Sequence, residues 1–587
     1  MRVSIFRIMF AAAVAILFLG ANAVFAQAPL EPAQMPPSTI FYLIWRGAPT
    51  PEVRKANSLL ALWDDPDFIP MRSAIAANMF SAQEDKSSKQ KLTQREMGEF
   101  APLLENAFTM GYLAEPAKRV TSNSNASPAS KALAWNGIFF VYDRTGKEDL
   151  LTKAVVRMRA GEKELPRLSQ VTLGGVQVLK IERKSSANYW AESGKYAVAA
   201  GEASVMEEIL GRLGGKAAAA SLAQSSAYQE AQPMAGSGVL EFFVRIPNLR
   251  DLAAESNGSQ FQVGPMLDAI KLDAVHSLSG HITFEGARTH VQAAILGDAV
   301  HGTPFDIWSD GQPSPASLPL VPADAVSYTE TQLNLAGIYD VVKRIARAVF
   351  PKGQQGNADL LDTMAQARLG MPLPNALELL TGEIASMQTS PSMDSAKQVY
   401  FLGIRKKPET LKLFRSLFGD QLTSERNEGD TTFLKISLGG KQGNAGVAQW
   451  NFFHVAVTPD MAIGASRMET LREVLAYRGK GASSPGLASV PQFQAGRAKF
   501  PENLSGLSYF DFQKLDWQVL KDRLLEGTRK SSTAGANSLA KKSASVTNAT
   551  PEWLIQANPQ VFSRHLHYSS SVSWKDAKGI HWDQWLE

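Results

Sequence analysis

The chain has 587 residues, 44% of them hydrophobic and 20% charged, with no cysteine and a formal charge of +4. Single cores rarely grow beyond about 250–300 residues, so this length predicts two or more domains. Abundant aliphatic residues and glycine without a three-residue period exclude collagen-like and wholly disordered classes. The missing cysteines exclude structural disulfides, thiolate chemistry and lipid attachment through sulfur.

The first residues, Met1-Arg2-Val3-Ser4-Ile5-Phe6-Arg7, are basic. An apolar run from Ile8 to Leu19 follows, then Gly20-Ala21-Asn22-Ala23-Val24-Phe25-Ala26-Gln27. That order predicts a secretory signal peptide over residues 1–26, cut after Ala26, with a cut after Ala23 as the alternative. A retained anchor is the competing reading, but Ile8–Leu19 makes only about 18 Å of helix against a hydrocarbon core of about 30 Å. Removal of residues 1–26 takes Arg2 and Arg7, leaving 58 basic and 56 acidic side chains. So small an excess implies no nucleic-acid partner. No later run approaches about 18 apolar residues, so the mature chain is expected to have no transmembrane segment and to lie in the periplasm or outside the cell.

Beyond the leader, the elements recur. Thr39–Trp45 opens the first half as a strand and Ala325–Thr331 opens the second. Each is followed by a helix-rich insert: Glu52–Trp63 and a segment around Glu96–Met110 in the first half, Leu335–Val349 and Ala358–Leu369 in the second. The strands Gly137–Tyr142 and Val399–Ile404 come next, trailed by helical spacing over Lys147–Met158 and Pro408–Phe418. Val178–Ile181 matches Phe433–Ile436, and Ala197–Gly201 matches Met461–Gly464. Val205, Met206, Ile209, Leu210 and Leu213 fall on one helical face, as do Met468, Leu471, Val474 and Leu475. Ser221–Gln229 echoes Gly486–Gln494, each leading into a strand, Gly238–Val244 and Gly506–Phe512. Both halves end in a hairpin, His276–Phe284 returning through His290–Leu296 and His567–Trp574 returning through Ile580–Trp585. Such self-similarity predicts internal duplication. Because strands cluster instead of alternating with helices, the fold class is α+β: two similar modules of antiparallel sheet packed by helices on one face. The modules are placed at residues 27–310 and 321–587 with a linker at 311–320, and the polar stretch 527–551 is predicted to be mobile.

The repeated pattern has a Pro-led first strand, the phrase Leu380-Thr381-Gly382-Glu383-Ile384-Ala385 before the Val399 strand, and the Leu487/Phe493 segment. It resembles a family of exported bacterial proteins of unknown function over most of the mature chain. The resemblance implies export and a duplicated α+β fold; it implies no activity and no functional residues.

Local chemistry is sparse. Gly211-Arg212-Leu213-Gly214-Gly215-Lys216-Ala217 has Leu210 and Ala217 where a phosphate loop needs glycine and a hydroxyl, so it reads as a helix ending in a glycine cap. The stretch Leu438–Gly446 reads as a connection between strands. Among the eight histidines, His565 and His567 are expected to share a strand face, His581 to sit opposite Val572, His281 opposite Gln292 and His290 opposite Thr283. That register assembles no metal site. Asp64-Asp65-Pro66-Asp67 lacks the glycine and glutamate of a calcium loop, and Asp67 is expected to cap a helix or turn. Neither a Gly-x-Ser-x-Gly elbow nor a His-Glu-x-x-His helix occurs. Trp553, Trp574, Trp582 and Trp585 crowd the last 35 residues; Trp574 and Trp582 are expected in the core, and Trp585 is the candidate partner contact.

The function expected from the sequence is an exported, non-catalytic binding or assembly protein of the cell envelope. It would need no cofactor or metal, and its partner would be an envelope protein, a glycan or a lipid. The alternatives are a periplasmic hydrolase with a site between the modules and a carrier of an apolar ligand.

Overall fold

A computed structural model describes residues 27–72, 101–114, 137–153, 167–182, 187–215, 220–233, 238–248, 263–299, 301–311, 315–349, 357–394, 397–438, 452–480, 485–498, 500–523, 525–526 and 555–587. The signal-peptide segment and the 527–551 stretch lie outside them. The described chain divides into two compact units. One holds the described residues of Met1–Asp64 and Arg72–Asp298, the other those of Asp65–Met71 and Ala299–Glu587. The expectation that residues 27–310 form one module is therefore corrected at two places. Residues 299–310 belong to the second unit, where Trp308 bridges to Leu333 and Arg344 donates to the Gly302 carbonyl. Asp65–Met71 belongs there as well, with Phe68 edge-on to Phe562 at 5.8 Å.

The first unit contains β1 (Thr39–Trp45), β2 (Phe108–Leu113), β3 (Ile138–Asp143), β4 (Arg167–Leu173), β5 (Val176–Glu182), β6 (Ala187–Ser193), β7 (Tyr196–Ala200), β8 (Leu240–Arg245), β9 (Val275–Glu285) and β10 (Arg288–Gly297). All their pairings are antiparallel, in the order β10-β9-β8-β1-β2-β3-β7-β6-β5-β4. Its helices are α1 (Pro51–Ala56), α2 (Ser58–Asp64), α3 (Ala203–Leu213), α4 (Ser226–Ala231) and α5 (Val263–Ala269). Thr50 caps α1, accepting from the Val53 amide, and Pro51 starts it. Beyond α3 the chain turns at Gly214, and Gly215 takes φ +73°, which glycine adopts without strain. The described part of that segment, Gly211–Gly215, is thus a helix end, as its sequence predicts.

The second unit contains β11 (Ser327–Gln332), β12 (Leu380–Gln388), β13 (Gln398–Ile404), β14 (Leu422–Glu428), β15 (Thr431–Ser437), β16 (Phe452–Val457), β17 (Met461–Ala465), β18 (Gly506–Asp511), β19 (Tyr568–Asp576) and β20 (Gly579–Leu586). The pairings are again antiparallel and run β20-β19-β18-β11-β12-β13-β17-β16-β15-β14. Position by position this is the order of the first unit. The helices are α6 (Leu335–Val349), α7 (Asn357–Leu369), α8 (Leu373–Glu378), α9 (Lys407–Phe418), α10 (Met468–Lys480), α11 (Pro491–Arg497) and α12 (Gln560–His565).

Successive strand side chains point to opposite faces, which resolves the packing of each unit. On one face of the second sheet, Val399, Phe401, Ile463 and Tyr509 pack with Leu471 and Val474 of α10 and Phe493 of α11. On the reverse face, Leu434, Ile436, Val455 and Ala462 pack with Leu411 and Phe414 of α9. The expectation of helices on one face only is corrected: α9 covers the outer strands from the other side. In the first unit, Tyr42, Phe139, Val198 and Phe243 pack under Met206 and Ile209 of α3, while Leu43, Trp45 and Tyr142 join Leu103 and Leu104 on the reverse.

Candidate functional site

The central strands of the second sheet have a stretch of reverse face that α9 does not reach. The register lines up one row across six strands: Gln584, Ser571, Ser508, Thr329, Ser386 and Tyr400, each directly opposite the next. Thr329 and Gln584 are exposed, the three serines half-buried. Tyr400 is 36% exposed and its neighbour Ile384 45%. The Thr329 and Ser508 hydroxyls lie 3.1 Å apart across the strand pair. The adjoining row, Trp582, Ser573, Gly506, Thr331, Ile384 and Leu402, is also uncharged.

Tyr400 is held from behind. It lies opposite Gly464, and a Cβ at Gly464 would come within 2.6 Å of the Phe453 ring. Glycine therefore lets Phe453 lie down on the strand, 6.2 Å from the Tyr400 ring. Partial burial raises the Tyr400 phenol above its ordinary pKa, so it remains a neutral donor and acceptor.

The same row in the first unit has the opposite character: Ala293, Gly280, Phe242, Leu43, Met110 and Phe140. Leu43 is 4% exposed there, whereas its positional counterpart Thr329 is open to solvent. One backbone layout thus buries hydrocarbon in one unit and exposes hydroxyls in the other.

The two glutamates that burial raises most, Glu330 and Glu241, lie on the helix-covered faces of their sheets, away from this row. Glu330 on β11 is 2% exposed and its Oε1 has no hydrogen-bond partner among the described residues. Burial pushes its carboxyl up to about 8, the nearby Glu383 adds to the rise and the Gln332 amide opposes it. Glu383 accepts from the amides of Ala316 and Ser317 at 3.0 and 2.8 Å. In the first unit Glu241 on β8 accepts from the Tyr42 hydroxyl at 2.5 Å and pairs with Arg46 at 3.0 Å. Burial raises it to about 7 against the lowering effects of Tyr42 and Arg46. These buried acids tie strands and loops within each unit.

Apart from Trp582, the residues singled out in the sequence fall elsewhere. Trp585 is half-buried on β20 opposite Ser570, which is itself 2% exposed; alternation puts both on the helix-covered side. Trp582 shares the open side with Gln584, half-buried and edge-on to Trp308 at 6.3 Å. Trp574 is half-buried against the core, and Trp553 lies outside the described residues. His581 faces Trp574, not Val572, and stacks on it at 5.0 Å. The hairpin closes tightly between Asp576 and Gly579, and this shifts the register. His281 faces Gln292 and His290 faces Thr283, as the first hairpin's spacing predicts. His565 is not on a strand: it ends α12 and contacts Asp65 at 2.8 Å. Asp65, and not Asp67, caps the following turn, accepting from the Asp67 amide; Asp67 instead pairs with Arg564 at 2.6 Å. Among the described residues no group of three or more His, Asp or Glu side chains could hold a metal ion. No described helix is long and apolar enough to cross a membrane.

The hydroxyl row escaped sequence reading because it is assembled from six separate strands by register alone. Its one visible trace is the alternation Ser569, Ser571, Ser573 on β19. No protein-family model, no curated protein and no solved structure matches this chain.

Proposed function

We propose that this is an exported, non-catalytic binding protein of the cell envelope, built by internal duplication of one α+β module. In this reading the second module meets its partner through the uncharged sheet face around Thr329. The observation that carries the proposal is the contrast between equivalent rows. Ten strands follow one order in each unit, yet Leu43, Met110 and Phe242 stand where the second unit has Thr329, Ser386 and Ser508. Nothing in strand stability requires hydroxyls at these positions, since apolar and β-branched side chains pair at least as well there. A solvent-facing row of short hydroxyls on rigid strands is suited to recognition, because serine and threonine lose little side-chain entropy when they engage a partner.

Export and the resemblance to exported proteins of unknown function rest on the leader and the repeated phrases of the sequence. Cell fractionation tests the first part, with the leader-free chain expected in the periplasm or the medium. Co-purification from native envelope, with proteins, lipids and glycans all identified, tests the second. A cytosolic chain with its leader intact would refute the reading. So would reproducible turnover of a substrate that a single polar substitution abolishes.

A further inference from the structure

We propose that the open face of the second unit binds an uncharged glycan, with the Ser571–Ser508–Thr329–Ser386 row hydrogen-bonding sugar hydroxyls and Tyr400 stacking on a sugar ring. This rests on the reading of that face as the binding surface and adds the class of ligand.

Charge decides between partners. Twelve adjoining positions in two rows hold no acidic or basic residue, in a chain that is 20% charged. A polyanion, whether an acidic polysaccharide or a phospholipid headgroup layer, would need lysine or arginine to offset its own charge. A hydrocarbon ligand would leave six polar side chains desolvated without partners. An uncharged polyol meets neither objection. Each serine or threonine hydroxyl is both donor and acceptor, as each sugar hydroxyl is, and Gln584 adds an amide that is both.

Geometry agrees with this. Adjacent strands are about 4.8 Å apart, so the row offers polar contacts at regular intervals over about 24 Å from Gln584 to Tyr400. An extended chain of sugars can follow such a line. At its end Tyr400 is part-exposed, and Phe453 over Gly464 fixes its position. A fixed, half-open aromatic ring supplies the flat apolar surface that the C–H side of a sugar ring covers. Ile384, one row over and 45% exposed, extends that surface.

The test is affinity electrophoresis of the purified full chain through gels containing hydroxyethyl cellulose, laminarin, xyloglucan or glycol chitin, with alginate as the anionic control. The prediction is retardation by at least one of the neutral polymers and none by alginate. Tyr400→Ala and, separately, Ser508→Lys should weaken that retardation tenfold or more, with thermal midpoints close to the parent. Gln177→Lys, on an exposed position of the first unit, should leave it unchanged. Absence of retardation by every neutral polymer, or retardation indifferent to both face variants, overturns the glycan assignment. A parallel sedimentation with isolated envelope separates the two levels. Envelope retention lost in Ser508→Lys without any polysaccharide binding rejects the glycan and keeps the face as a contact surface, whereas no retention in either assay rejects both.

Discussion

Glu330 places an ionisable group where solvent cannot compensate it, and the consequence is a pH-dependent stability. Its pKa in the folded chain, about 8, lies above that of an exposed glutamate. The folded state therefore holds this proton more tightly than the unfolded state. The stability it contributes is fully present below about pH 4.5 and is lost as pH rises through about 8. Glu330→Gln removes the titration, so the variant should gain on the parent between pH 5 and pH 9 by an amount on the order of 3 kcal/mol. Urea midpoints at pH 5, 7 and 9 measure it; parallel profiles for the two proteins would show that Glu330 does not titrate in that window. Glu241 behaves differently under truncation because it has specific partners. Glu241→Ala takes the acceptor from the buried Tyr42 hydroxyl and leaves Arg46 paired with Glu31 alone, and should cost about 1–3 kcal/mol. Denaturant melts of the variant decide the point, a loss under 1 kcal/mol arguing that the network is dispensable. At Gly464 the issue is space: Gly464→Val must displace the Phe453 ring and with it the support of Tyr400.

At the scale of elements, hydrophobic periodicity identified what packs and missed what does not. α6 spans Leu335–Val349 and β1 spans Thr39–Trp45 as their patterns predict. α10 buries Leu471 and Val474, as its apolar spacing requires. Leu471→Ala should therefore cost about 2–5 kcal/mol, read as a shifted unfolding midpoint; an unchanged midpoint would place α10 outside the cooperative core. Two of the missed strands share a cause. β4 and β14 are edge strands rich in exposed polar side chains, such as Gln170, Glu425 and Arg426, so no long apolar run marks them. Their hairpins are signalled only by turns, Gly174–Gly175 at φ +59° and +83° and Gly429 at +61°. β2 overlaps the end of the expected helical segment around Glu96–Met110, because Phe108–Leu113 is apolar on both faces and periodicity alone does not separate such a run from a helix. The error at His581 was one of turn length. A hairpin tighter than assumed moves every later pair, and no residue in the return strand announces it. The open face was illegible for the same reason at larger scale: its row exists only once five strand pairings are fixed.

At the scale of the molecule, the two units show how one ten-strand layout buries a row in one unit and exposes its counterpart in the other. The buried rows keep their type: Tyr42 with Phe243 and Tyr228 in one unit, Tyr509 with Phe493 in the other, Tyr328 filling the place of Tyr42. Even the buried acid recurs with its strands exchanged, Glu241 facing Ile44 in the first unit and Glu330 facing Leu507 in the second. The row facing away from the α3 and α10 layers changes from apolar to hydroxyl between the units, which is the pattern expected if a doubled module acquired a contact surface in one copy. Hydroxyl-radical footprinting of the full chain, with and without isolated envelope, examines that surface residue by residue. Oxidation of Tyr400 and Ile384 should fall at least severalfold when envelope is added, while Met364, 68% exposed on α7, should be oxidised equally in both samples. Equal oxidation of Tyr400 and Ile384 with and without envelope would contradict the account.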